Sequence, residues 1–224
     1  MNTRITTPAP NQERLRITEI FYSVQGEART SGMPTVFIRL TGCPLRCRYC
    51  DTAYAFEGGQ WMSFDEIEAE VEKYNTKLIT VTGGEPLAQK SCPALLSRLC
   101  DKGYDVSLET SGAIDISETD TRVSRVMDIK LPGSGEVEKN LPDNIQQLTA
   151  HDQIKFVICD REDYDWAVDF LTEHPLSGIC DVFFSPSYAQ VSLKQLTEWV
   201  LRDQLSVRVQ CQLHKLIWGE ESGR

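Results

Sequence analysis

The chain has 224 residues, eight cysteines, only three histidines and a net charge of −10. That length suits one large α/β domain that buries its own core without staples. The acidic balance disfavours broad electrostatic binding to nucleic acid or to an anionic membrane, and no stretch reaches the ~18 apolar residues of a membrane-spanning helix.

The opening segment MNTRITTPAPNQERLR is polar and lacks the apolar core of a secretory signal. Residues 1–14 are expected to form a loose tail, residues 15–224 a single domain, and the chain to be cytoplasmic. PTVFIRL, 34–40, reads as a short strand that runs straight into Thr41-Gly42-Cys43. SFDEIEAEVEKYN reads as a helix: Ser63 and Glu66 have capping-box spacing, and Phe64, Ile67, Val71 and Tyr74 recur at helical intervals. KLITV, 77–81, is a buried strand followed by TGGEP. SCPALLSRLCDKG is a helix with Pro93 in its first turn and Gly103 as its stop. YDVSLE, RVMDIK, QIKFVIC and DVFFSP read as further strands, REDYDWAVDFLTEH and SLKQLTEWVLRD as helices, and SVRVQCQL as the last strand.

Strands alternating with helices imply a parallel sheet with right-handed crossovers. The chain is short of the ~250 residues of a full eightfold barrel, so the expected fold is an incomplete (β/α) barrel with about six parallel strands. CPLRCRYCDT, TGGEP, TSG, LPGSG and SPS each follow a strand. In parallel α/β folds the carboxyl ends of the strands carry the ligand site, so these clusters point to one composite site.

Five cysteines, Cys92, Cys100, Cys159, Cys180 and Cys211, fall in apolar segments and read as buried thiols. Cys43, Cys47 and Cys50 are different. Their C-x3-C-x2-C spacing is too tight for mutual disulfides and suits wrapping around a metal. Three thiolates can hold three corners of a 4Fe–4S cluster and leave one iron open. A zinc site that borrows a distant fourth ligand is the alternative. Two glycines in TGGEP allow close backbone approach, and Glu85 offers a carboxylate.

This arrangement resembles the radical S-adenosylmethionine (SAM) superfamily: C-x3-C-x2-C after a first strand, an aromatic, Tyr49, before the last cysteine, and GGEP after the next strand. FYSVQGE (21–27), FIRLTGC, CDT, ETSG, MDIKLPGSG, FFSP and QLHKLIWGE narrow the resemblance, from about Ile17 to Glu220, to the 7-carboxy-7-deazaguanine synthase family. The resemblance implies a partial barrel. It also implies a 4Fe–4S cluster held by Cys43, Cys47 and Cys50, the catalytic cysteines, whose open iron takes SAM and generates a 5′-deoxyadenosyl radical. The substrate would be 6-carboxy-5,6,7,8-tetrahydropterin, contracted to 7-carboxy-7-deazaguanine with release of ammonia in queuosine and 7-deazapurine biosynthesis. Mg2+, an external electron donor such as flavodoxin or ferredoxin, and a homodimer are further implications.

Residue by residue, the resemblance assigns SAM to Tyr49, Gly84, Glu85, Ser111, Lys130, Ser185, Pro186 and Ser187, and Mg2+ to Thr52. It assigns substrate to Val24, Gln25, Gly26, Glu27, Arg39, Thr82 and His214. Gln25 and Glu27 can read a pterin's donor and acceptor edge. Arg39 is a lone charge in an apolar strand, suited to a carboxylate or to an internal salt bridge. Ala28 departs from the glycine usual in the family after Q-G-E. Two other readings stand beside this one: a radical SAM activase that installs a glycyl radical on a protein partner, and a non-catalytic zinc or iron–sulfur module.

Overall fold

A computed structural model describes residues 13–219, 221 and 223. The expected tail lies outside the described residues as far as residue 12, and Arg14 already begins a strand. The strands are β1 (Arg14–Val24), β2 (Pro34–Leu40), β3 (Gln60–Ser63), β4 (Leu78–Gly83), β5 (Asp105–Thr110), β6 (Ser124–Ile129), β7 (Gln153–Ile158), β8 (Asp181–Pro186) and β9 (Arg208–Val209). They form one sheet in the order β3-β1-β2-β4-β5-β6-β7-β8-β9. From β2 through β4 to β9 every pairing is parallel. The two edges, β3 and β9, do not pair, so the barrel is incomplete as expected.

The helices are α1 (Phe64–Val71), α2 (Cys92–Asp101), α3 (Arg161–Glu173), α4 (Leu193–Arg202) and α5 (Leu213–Trp218). Ser63 and Glu66 make the expected reciprocal cap of α1. Leu95, Leu96 and Leu99 of α2 and Tyr164 of α3 are fully buried against Ile79, Val81, Leu108, Ile154 and Phe156 of the sheet. Because side chains alternate along a strand, the opposite face of the same strands carries Thr80, Thr82, Ser107, Glu109, Asp128 and Lys155. That polar face is what positions the site.

Four features differ from the sequence reading. First, β1 and β3 extend the parallel sheet by antiparallel pairing. A shift of register between Ile17 and Glu19 breaks the two-residue period that marks a strand. Second, the β5–β6 connection holds only turns and the β6–β7 connection only short 3-10 helices, so strict helix alternation fails there. Asn144, fully buried, takes the bracing role: its amide donates to Gly112 O and Ile114 O and accepts from Ile116 N. Third, the last strand is only Arg208–Val209. Beyond it Gln210 and Gln212 turn to the loop after β1, where Gln210 bonds both backbone groups of Ala28. Fourth, His214 lies on α5 rather than near a strand end.

Candidate active site

The carboxyl ends of the parallel strands open into one cavity of about 820 Å³. Every substrate-assigned residue except Gly26 lines it, as do Cys43, Cys47, Tyr49, Cys50, Thr52, Gly84, Ser111, Lys130 and Ser187. Glu85, Ser185 and Pro186 do not line it.

At one end lies the cysteine loop. Its backbone is tied down by Arg48 N donating to Ser134 O and by Arg46 donating from Nη1 to Cys43 O and Leu45 O. The Arg46 guanidinium rests 4.2 Å from the Phe56 ring centre. The glycines after β4 serve this loop: a Cβ on Gly84 would stand 2.1 Å from Gly42 O and 2.8 Å from Cys43 Cβ. Glu85 is fully buried, and its carboxylate accepts from Leu87 N, Thr110 Oγ1, Ser111 N and Ser111 Oγ. It therefore braces the β4 end against the β5 end.

The donor set suits an iron–sulfur cluster. Three partly exposed thiols share one mouth of the cavity, and burial pushes the Cys43 and Cys47 thiols up, which a bound metal reverses by stabilising thiolate. Among the described residues no His, Cys, Asp or Glu trio is drawn together as a cage for one metal ion. Tyr49 OH and Asp128 Oδ1 are buried here without a hydrogen-bond partner, and Tyr49 and Asp128 both line the cavity. Buried polar atoms of this kind call for a ligand, and SAM has donors and acceptors for both. Lys130 Nζ donates to the other Asp128 oxygen at 3.0 Å.

The other end is built from the Gln25–Glu27 loop. Gln25 is spent internally: its amide nitrogen donates to Thr80 Oγ1 and Glu109 Oε1, and its oxygen accepts from Glu27 N. Glu27 is also engaged, by Lys155 Nζ at 2.5 Å and Gln212 Nε2 at 2.6 Å. Burial alone would raise the Glu27 carboxyl, but the Lys155 ammonium overrides it and holds the group below the usual carboxylate range. Glu109, held by Thr82 Oγ1 at 3.2 Å, shows the opposite balance, and burial keeps it above that range. Ala28 closes the loop with φ +62, a left-handed conformation in which glycine is unstrained.

Arg39 makes the internal salt bridge and also faces the cavity. Its Nε donates to Glu19 Oε1 at 2.7 Å, and its guanidinium lines the cavity between the rings of Phe21 and Tyr54. Thr52 donates to Asp51 Oδ1 at 2.8 Å. Asp51 accepts from Lys215 at 2.8 Å on its other oxygen, and this pair overrides burial and holds it below the carboxylate range. Asp51, Glu109, Asp128, Lys155, Gln212 and Lys215 were not among the sequence candidates. For Lys155 the available signal was a single charge inside an apolar strand, the same one that marked Arg39; β5 and β6 each carry a second charge, Asp105 and Arg125, beside Glu109 and Asp128.

The radical SAM superfamily model matches residues 37–125. The 7-carboxy-7-deazaguanine synthase of Chlorobaculum tepidum is 42% identical over 97% of this chain and 99% of its own length. The chain belongs to the 7-carboxy-7-deazaguanine synthase family of radical SAM enzymes. The synthase of Koribacter versatilis is 43% identical over 93% of the chain and 99% of its own. The crystal structure of QueE from Escherichia coli covers 90% of this chain and 95% of its own at a TM-score of 0.74, and with 22% identity it speaks for the fold. A family match that spans both flanks of the cysteine loop leaves the activase reading without support. Membership implies a 4Fe–4S cluster and SAM. Among the described residues no helix is long and apolar enough to cross a membrane.

Proposed function

We propose that this chain contracts the ring of 6-carboxy-5,6,7,8-tetrahydropterin to 7-carboxy-7-deazaguanine with release of ammonia, in the 7-deazapurine route that feeds tRNA modification. The observation that carries this reading is similarity to named synthases over almost the full length of both chains. The cavity supports it, with three thiols at one end and an arginine and paired carboxylates at the other.

Cys43, Cys47 and Cys50 would hold the cluster, which when bound supplies the electron that cleaves SAM. Tyr49, Gly84, Ser111, Lys130 and Ser187 border that end and would receive SAM. Glu85, Ser185 and Pro186 would act from behind, by shaping the strand ends. Arg39, already oriented by Glu19, offers a guanidinium to the pterin carboxylate. Glu109 and His214 face the same space, with Val24, Gly26 and Thr82 shaping it. Gln25 acts through Glu109, which it orients. Thr52, beside an ionised Asp51, would take part in a Mg2+ site completed by substrate oxygens and water. The chain would work in the cytoplasm as a homodimer and draw its electron from flavodoxin or ferredoxin.

The test is an anaerobic assay of reconstituted protein with the carboxytetrahydropterin, SAM, a reductant and Mg2+. The expected product is the carboxydeazaguanine, in amounts that fall when Mg2+ is withheld. SAM cleavage without that product would remove the substrate assignment.

A further inference from the structure

The cavity holds a buried row of alternating charges whose central member, Lys155, has no role in the reading above. Lys155 projects from the middle of β7, and its side chain is 11% exposed. Its ammonium meets Glu27 Oε2 at 2.5 Å on one side and Asp128 Oδ2 at 3.9 Å on the other. Lys130 continues the row on Asp128 Oδ2 at 3.0 Å. Gln212 closes the far end on Glu27 Oε1. The row therefore runs from the loop after β1 across β7 to β6, joining the substrate-assigned end of the cavity to the SAM-assigned end.

We propose that Lys155 is a positioning residue whose buried ammonium fixes the Glu27 carboxylate and thereby ties the Gln25–Glu27 loop to the strand that carries Asp128 and Lys130. The argument is electrostatic and geometric. A buried carboxylate needs a full set of hydrogen-bond donors or a paired cation. Glu85 has Leu87 N, Thr110 Oγ1, Ser111 N and Ser111 Oγ, whereas the side-chain donors to the Glu27 carboxylate are Gln212 and Lys155. Among the described residues Glu27 has one ammonium within hydrogen-bond reach, that of Lys155. The other charged or titratable groups that act on this pair are His214 from α5, Glu109 from β5, Asp128 from β6, Lys130 just after β6 and Asp51 from the end of the cysteine loop. None replaces Lys155: His214 has no hydrogen bond to Glu27 among the described contacts, Lys130 is held on Asp128, and Glu109, Asp128 and Asp51 carry the wrong sign. Glu27 N also donates to Gln25 Oε1, and Gln25 holds Glu109. Displacing the Glu27 carboxylate thus disturbs two further groups on the substrate side. The Lys155 Nζ–Asp128 gap of 3.9 Å exceeds a hydrogen bond, so the SAM-assigned end is coupled through charge, and less strongly.

This inference rests on the pterin reading of the cavity for its kinetic arm, and has a second arm that does not. The variants are Lys155→Met, which keeps the aliphatic stem, and the double variant Lys155→Met/Glu27→Gln, which removes the orphaned charge as well. In reconstituted holoenzyme, Lys155→Met is expected to raise KM for the carboxytetrahydropterin at least tenfold at neutral pH. Its kcat/KM should gain, relative to the wild-type profile, a limb that rises with pH as Glu27 ionises. The double variant should lose that pH limb and keep a raised KM. SAM cleavage without substrate should stay within about threefold of wild type. A normal KM and a profile unchanged from wild type in Lys155→Met would overturn the proposal, as would survival of the added limb in the double variant.

The second arm is thermal unfolding of the holoproteins between about pH 5.5 and 8. With Lys155 present, the folded carboxyl of Glu27 titrates low, so its stabilisation is present above the unfolded value and is lost only in acid. Without Lys155 the folded carboxyl titrates high, so stability is lost as pH rises. The gap between wild type and Lys155→Met should therefore widen from pH 5.5 to 8, and close in the double variant. A gap independent of pH would reduce Lys155 to packing. If wild-type protein makes no deazaguanine, the pterin reading fails and this arm alone decides the role of Lys155.

Discussion

Gly26 lies directly beneath the ring of His214: a methyl group on Gly26 would stand 2.0 Å from His214 Nδ1 and 2.8 Å from Cγ. The contact is fixed from both sides, because Leu213 N donates to Gly26 O at 2.9 Å and so docks the start of α5 on the loop after β1. The histidine's place over the cavity thus depends on the absence of a side chain 188 positions earlier in sequence, at residue 26. Gly26→Ala is expected to push the ring and the first turn of α5 outward. Misplacement of a binding group by about 1 Å costs on the order of 10²-fold in rate. The variant should keep wild-type iron content and lose about that factor in kcat/KM for the pterin. Full activity in Gly26→Ala would show that His214 does not need this seat.

Gly84 makes the corresponding contact at the cluster end. A Cβ there would meet Gly42 O at 2.1 Å, Gly42 C at 2.6 Å and Cys43 Cβ at 2.8 Å. The first two obstacles are backbone, so the strain cannot be relieved by a rotamer change. Gly84→Ala is expected to displace the start of the cysteine loop, since Glu85 N also anchors there on Gly42 O at 2.8 Å. Iron bound after anaerobic reconstitution should fall well below about four per chain, and the charge-transfer absorbance should fall with it. Retention of a full cluster would mean that the loop tolerates the shift.

The parallel half of the fold was legible because each strand is an apolar run closed by a polar or glycine-rich cluster. That is how the cysteine loop, TGGEP, TSG and LPGSG could be assigned to one edge. β1 was not, because its bulge after Ile17 shifts the alternation by one residue. The helix-free crossovers were not, because a single buried asparagine, Asn144, does by side-chain hydrogen bonds what a helix does by packing. In the site, Cys43, Cys47, Cys50 and Arg39 announced themselves by spacing or by a charge in an apolar strand. The role of Glu85 did not, since a carboxylate after two glycines reads as a ligand until Thr110 and Ser111 are seen to fill it. Nor could sequence show that Gln25 is spent on Thr80 and Glu109, because those partners lie 55 and 84 residues away.

Arg39 sits between an anchor and the cavity. Glu19 accepts from its Nε and from Tyr54 OH on the same oxygen, at 2.7 and 2.8 Å. The anchor orients the guanidinium while its face remains along the cavity wall. Arg39→Ala should leave cluster assembly unchanged and raise KM for the carboxylated pterin by about 10- to 100-fold, the worth of a charge-assisted hydrogen bond of ~1.5–3 kcal/mol. Glu19→Gln should have a smaller effect in the same direction, because the anchor weakens and the guanidinium stays. Substrate titration by steady-state kinetics separates the two. Equal Michaelis constants in Arg39→Ala and wild type would take Arg39 out of the substrate site.

Arg125 and Asp152 form a buried pair on the side of the sheet away from the cysteine loop, with side chains 9% and 1% exposed. Arg125 donates from Nε and Nη2 to the two carboxylate oxygens at 2.8 and 2.6 Å, and Thr149 N and Oγ1 donate to Asp152 Oδ2. Burial alone would raise the Asp152 carboxyl, but Arg125 and the backbone donors override it and leave the group below the usual carboxylate range. A depressed carboxyl contributes stability that is present above the unfolded value of ~3.9 and lost as pH falls through the folded value. Arg125→Met removes the cation while the Thr149 donors and the residue-125 backbone N–H stay, so the Asp152 carboxyl titrates higher than in the wild-type protein and burying it costs least when it is protonated. Removing one member of a buried pair costs about 3–5 kcal/mol, or roughly 10 °C in Tm for a chain of this size. That deficit is expected at pH 7 and should shrink as pH falls towards ~4.5 and Asp152 takes up its proton. A deficit of the same size at both pH values would mean that the loss comes from packing of the arginine stem and not from the charge.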